Sequence, residues 1–145
     1  MSPQGHLCIE SPCPICIAWV AGIFEGEGTI GLPKTGYSVR ASIRMDDRDV
    51  IERVYSVMGF GLFRQLAVHR PHDRIVIQYN YQVSSAKQVI AFLEAILPHL
   101  GERRRKKALE AIASAHLVGS HKRRPWTPEA RAHHMETIAR KKAQR

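Results

Sequence analysis

The sequence predicts a single α+β domain in which helices alternate with two antiparallel hairpins. Three observations carry that expectation. A helix opening near Pro14 is apolar along most of its length, then breaks off in alternating carboxylates and glycines at Glu25-Gly26-Glu27-Gly28. Residues 37–45 and 74–83 alternate apolar and polar side chains with the period of two that marks a half-buried strand. Two further segments, ending at Met58 and Leu97, carry apolar residues at helical spacing. A chain of 145 residues is one domain's worth and long enough for a real core.

Residues 1–13 read as an irregular leader. Ser11, Pro12 and Pro14 can start the first helix near residue 14, since proline is tolerated in a first helical turn. That helix is expected to run to about Glu25. Ala18, Gly22 and Gly26 recur every four residues and therefore line one stripe. Each helical glycine weakens a helix by up to about 1 kcal/mol, so propensity does not explain them. A stripe without bulk lets another backbone approach closely. The reading is that two copies of this helix pack through Ala18, Gly22 and Gly26 and deliver acidic groups at their ends.

Residues 29–32 read as a short strand, turned by Pro33-Lys34-Thr35-Gly36. In the next strand Tyr37, Val39, Ala41, Ile43 and Met45 alternate with Ser38, Arg40, Ser42 and Arg44, giving one apolar and one basic, hydroxylated face. Asp46 or Asp47 can cap a second helix ending at Met58, with Gly59 as its stop. Residues 61–69 and 74–83 form a hairpin around Pro71-His72-Asp73. In its second strand Ile75, Ile77, Tyr79 and Tyr81 face one way, and Arg74, Val76, Gln78, Asn80 and Gln82 the other. Arg, Gln and Asn pair bidentately with guanine and adenine edges; a solvated sheet face would show the same pattern. Ser84 or Ser85 caps a third helix through Leu97, which Pro98 ends. A fourth follows from the block Arg103-Arg104-Arg105-Lys106-Lys107 to about Val118, closed by Gly119. After a linker at 121–125, Thr127 and Pro128 open a polar, basic tail helix.

Charge is unevenly placed. Residues 101–145 hold 13 Lys or Arg against 4 acids, and residues 1–100 hold 9 against 9, so the last third supplies the whole net charge of +9. Such a block favours a polyanion, above all nucleic acid. The longest apolar run, residues 15–24, is far short of the roughly 20 residues of a membrane span. The segment before it has no Lys or Arg and contains Glu10, unlike a signal peptide. No membrane association is expected, and the location expected is inside the cell, in the cytoplasm or nucleoid. His6, Cys8, Cys13 and Cys16 cluster at the start, but His6 and Cys8 stand too close together for a usual second ligand pair. Reduced thiols, not structural zinc, are the expectation.

Residues 20–28 (VAGIFEGEG) resemble the LAGLIDADG motif of homing endonucleases, with glutamates where many members carry aspartates. The strand order that follows, Gly59-Phe60-Gly61 and Leu97-Pro98-His99-Leu100 agree with it, so the resemblance spans about residues 17–118. It implies the αββαββα fold with a curved antiparallel sheet, in a domain of residues 14–119 followed by a basic helical tail, 120–145. The motif occurs once.

A single motif implies a homodimer, whose two-fold axis matches a pseudo-palindromic site in double-stranded DNA. In the family the acid before the last motif glycine binds divalent metal; that position is Glu27, with Gly26 contributing its carbonyl and Mg²⁺ the expected ion. Glu25 is expected to be structural. A supporting polar residue falls at Asp47, which can equally be only a helix cap. A basic residue after the third helix falls at Arg103 or Arg104, five consecutive cations leaving both open. The sheet would lie over the major groove through Arg40, Ser42, Arg44, Arg64, Arg74, Gln78 and Asn80, with Lys122, Arg123 and Arg124 on phosphates. The function implied is a Mg²⁺-dependent, site-specific DNA endonuclease. The rival is a relative that keeps binding without cleavage, as an intron maturase acting on RNA or a DNA-binding regulator.

Overall fold

The computed structural model describes residues 13–32, 38–120 and 127–143. Helix α1 spans Pro14–Glu27 and opens on its proline, whose missing N–H costs nothing in a first turn. It passes without a loop into strand β1, Gly28–Gly31. Gly28 makes that junction possible, because a Cβ there would collide with the Phe24 ring and carbonyl. Strand β2 is Arg40–Met45, and helix α2 is Arg48–Met58. Gly59 ends α2 in the left-handed region, φ 72°, with its N–H donating to the Tyr55 carbonyl. Strands β3, Leu62–Arg70, and β4, Arg74–Val83, form the long hairpin, turned through positive φ at His72 and Asp73. Helix α3, Ala86–Ile96, is capped by Ser85, whose hydroxyl accepts from the Gln88 N–H at 3.2 Å. A single 3-10 turn at Leu97–His99 leads to α4, Glu102–Ser120, and α5 follows at Pro128–Ala143.

The four strands form one antiparallel sheet in the order β1-β2-β4-β3. The second hairpin is therefore inserted with β4 against β2, in register Ser42↔Gln82 and Arg44↔Asn80. One face of the sheet, with Ile30, Ala41, Ile43, Tyr81 and Val83, is buried against the helices. Phe24 of α1 and Phe92 of α3 meet edge to face, centroids 5.4 Å apart, and Tyr81 lies 5.6 Å from Phe92. Fully burying each such side chain contributes about 1.5–3 kcal/mol. Ala108, Ala111 and Ala115 bring α4 close to this cluster. Tyr81 donates to the Phe60 carbonyl at 3.0 Å, and burial pushes its phenol above the ordinary range, so it stays neutral. Gly61 is required beside it: its φ is 102°, and a Cβ would come within 2.7 Å of the Tyr81 ring.

Several boundaries differ from the expectation. Strand β1 starts at Gly28 rather than Thr29, because the chain leaves the helix without a turn. Helix α4 runs through Gly119 to Ser120; one glycine costs a helix only about 1 kcal/mol and does not by itself stop it. Asp47 occupies the N-cap position of α2, but its side chain makes no capping hydrogen bond. His6 and Cys8 lie outside the described residues, as do Lys122, Arg123 and Arg124. Cys13 and Cys16 are buried at the start of α1. Among the described residues no helix is long and apolar enough to cross a membrane, and no three His, Cys, Asp or Glu side chains group as a metal site.

Candidate functional site

The two carboxylates that end α1 have different surroundings. Glu25 reaches across to the start of α4: its Oε2 accepts the Gly101 N–H at 3.2 Å and its Oε1 lies 3.9 Å from Arg104 Nε. An anion at a helix N-terminus meets backbone donors that have no partner within the helix. Arg104 completes the tie, donating through Nη1 to the Gly28 carbonyl with its guanidinium 5.6 Å from the Phe24 ring centroid. Glu25 is thus structural, as the sequence reading expected. Glu27 is exposed and makes no hydrogen bond or ion pair among the described residues. Of the two candidate cations, Arg104 faces this end of α1, and Arg103 is exposed. Asp47 is exposed at the end of β2.

The stripe of small residues faces outward. Gly22 and Gly26 are exposed, and a Cβ built on either meets nothing within 4 Å among the described residues. Ala18 is half-buried beside them. Ile15, three residues before Ala18, extends the same stripe and is 64% exposed. Trp19 flanks it under the guanidinium of Arg53, 3.9 Å above the ring centroid.

The sheet face away from the helices carries the expected polar set in rows. Register places Arg64, Asn80 and Arg44 side by side across β3, β4 and β2, with Leu62, Gln82, Ser42 and Thr29 in the adjoining row. Gln78 pairs with Leu66 one row further along, and Arg40 pairs with Gly31. Arg74 pairs with Arg70 at the far end of the hairpin. All seven side chains expected to face nucleic acid therefore share one face.

Asn80 needs a correction. It is only 3% exposed, its Nδ2 donating to Gln82 Oε1 at 3.4 Å and its Oδ1 buried without a partner. It sits in a central strand, paired with Arg64 on one side and Arg44 on the other. Three residues of the face escaped the sequence reading. Arg70 and Thr29 are legible only once the register is known. Asp46, read only as a possible cap, instead accepts from Gln78 Nε2 at 2.8 Å.

No protein-family model matches the chain, and no curated protein matches it in sequence. Solved structures do. The homing endonuclease I-CvuI, crystallised with its target in the presence of calcium, aligns with a TM-score of 0.58 at 17% identity, over 74% of this chain and 69% of that one. This chain has the LAGLIDADG homing-endonuclease fold. Also similar are I-CvuI with the I-CreI target and magnesium, its DNA not cleaved (TM-score 0.48, 17% identity, 86% of this chain and 95% of that one), and the archaeal intron-encoded homing endonuclease I-Vdi141I with DNA (0.45, 15%, 79% and 88%). In the LAGLIDADG fold of this chain, α1 is the motif helix, and its acidic end joins the sheet directly through β1.

Proposed function

We propose that this chain is a site-specific DNA endonuclease that acts as a homodimer with a divalent metal. The observation that carries the reading is the contrast at the end of α1, where Glu25 is tied down and Glu27 is left unpaired beside a bare glycine stripe. A second copy packed on Ala18, Gly22 and Gly26 would bring two Glu27 carboxylates together. Like charges so placed repel without a cation and attract one.

The donors present fit a hard cation: the Glu27 carboxylate and the Gly26 carbonyl are oxygen ligands of the kind Mg²⁺ takes. One chain supplies too few of them, so the partner copy and the DNA phosphates would complete the set. The bound ion supplies charge neutralisation at the phosphate and a polarised water. The chain's own residues do the rest. Arg104 and Glu25 fix the helix end from which Glu27 projects. Arg40, Arg44, Arg64 and Arg74, with Ser42, Gln78 and the half-exposed Gln82, face the duplex, and the buried Asn80 holds Gln82 through its amide. Asp47 is the supporting polar group that the resemblance implies. Lys122, Arg123 and Arg124 add phosphate contacts that position without reading sequence.

The test is Glu27→Gln, which keeps shape and removes charge. A site selected by cutting a random DNA library is assayed for binding in Ca²⁺ and cleavage in Mg²⁺. Binding should stay within a few-fold, and cleavage should fall by about a thousandfold or more. Near-normal cutting would remove the metal role from Glu27, and binding without cutting by the native chain would make it a binder only.

A further inference from the structure

Gln78 lies on the open face of β4, and its amide nitrogen donates to Asp46 Oδ1 at 2.8 Å. Asp46 follows the last residue of β2, Met45, which pairs with Tyr79, so the two side chains meet where β2 ends beside β4. The carboxylate is not engaged as a helix cap; the N-cap position of α2 belongs to Asp47. A glutamine amide in solvent presents its oxygen or its nitrogen with equal ease. A carboxylate can only accept, so it draws the NH₂ end of Gln78 to itself. The amide orientation is thereby fixed, with Oε1 left as the free acceptor and at most one N–H to spare.

That asymmetry has a meaning on a surface that reads base edges. In the major groove adenine and cytosine present amino donors, N6–H₂ and N4–H₂, where guanine and thymine present the acceptors O6 and O4. An outward glutamine oxygen pairs with the amino bases. The keto bases would set oxygen against oxygen, with the Asp46 charge behind it. Discrimination by repulsion of the wrong partner is as effective as attraction of the right one.

We propose that Asp46 is a specificity-determining residue, which sets Gln78 to read an amino-bearing base, adenine or cytosine, and to reject guanine and thymine. The inference rests on the proposal that this sheet face binds DNA. It predicts one position in each half-site with a preference of about tenfold for adenine or cytosine. Asp46→Asn replaces an obligate acceptor by a group that can donate. Gln78 can then turn its oxygen inward and its nitrogen outward, and the same position should move toward guanine or thymine.

The experiment selects binding sites from a random duplex library in Ca²⁺, so that cleavage is not needed. Native protein, Asp46→Asn and Gln78→Ala are compared base by base. Both residues lie on the surface layer, and circular dichroism with a thermal melt confirms that each variant is folded. The expected result is a change confined to one position per half-site: reversal or loss of the amino preference in Asp46→Asn, and loss of it in Gln78→Ala. An Asp46→Asn profile identical to the native one overturns the proposal, as does a uniform weakening at every position. Recovery of no preferred sequence by the native protein would overturn the DNA-reading proposal itself, a result distinct from a well-defined site that Asp46→Asn leaves unchanged.

Discussion

Helix α1 has two sides built on opposite rules. Toward the sheet, Val20, Ala21 and Phe24 are completely buried and chosen for volume. Away from it, Ala18, Gly22 and Gly26 lack volume, and among the described residues nothing lies within 4 Å of a Cβ built on either glycine. A helix packed only for its own domain would carry polar side chains on the outer side, at lower conformational cost than glycine. The difference is what the proposed second copy accounts for, because a close-packed neighbour needs a side without bulk.

The two sides can be separated by one substitution each. Phe24→Ala removes a ring packed against Phe92 and under Arg104, and should cost about 3–5 kcal/mol in urea denaturation. Gly22→Leu should cost the fold of one copy little, because its new side chain enters open space. It should nevertheless convert a sedimenting dimer to monomer and abolish cleavage of both strands. A Gly22→Leu variant that remains dimeric and active would place the dimer contact elsewhere.

Most of the architecture was legible because it is local. The alternation in residues 74–83 and the Gly59 stop are each written within a dozen residues and lie where the pattern put them, whereas the strand expected over 37–45 starts only at Arg40, Tyr37 lying outside the described residues. What escaped was long-range. Nothing near Asn80 says that β4 will lie between β2 and β3, and only that insertion buries its amide. Asp46 looked like a possible cap because its partner is 32 residues away. Which of Arg103 and Arg104 turns toward α1 follows from helical spacing once the buried alanines are known. Arg104 lies four, seven and eleven residues before Ala108, Ala111 and Ala115, the buried stripe of α4, and so shares their inward face.

The smallest effect sharpens the comparison most, because it concerns two glutamates on a single helical turn. Glu25 accepts from Gly101 and faces Arg104, whereas Glu27 faces outward. Glu25→Gln keeps an oxygen that can still accept the Gly101 N–H, so the bond survives while the charge is lost. What goes is the attraction to Arg104 at 3.9 Å and to the N-terminus of α4, in a side chain that is 43% exposed and therefore partly screened. The expected cost is about 0.5–1 kcal/mol, read as a lower urea midpoint at unchanged slope and fixed protein concentration. Cleavage by the folded fraction should stay within a few-fold of native, the reverse of Glu27→Gln, which should lose cutting and keep its midpoint. A Glu25→Gln variant with a native midpoint and a thousandfold loss of cleavage would exchange the two roles, making the residue that faces Arg104 the one that serves the phosphate.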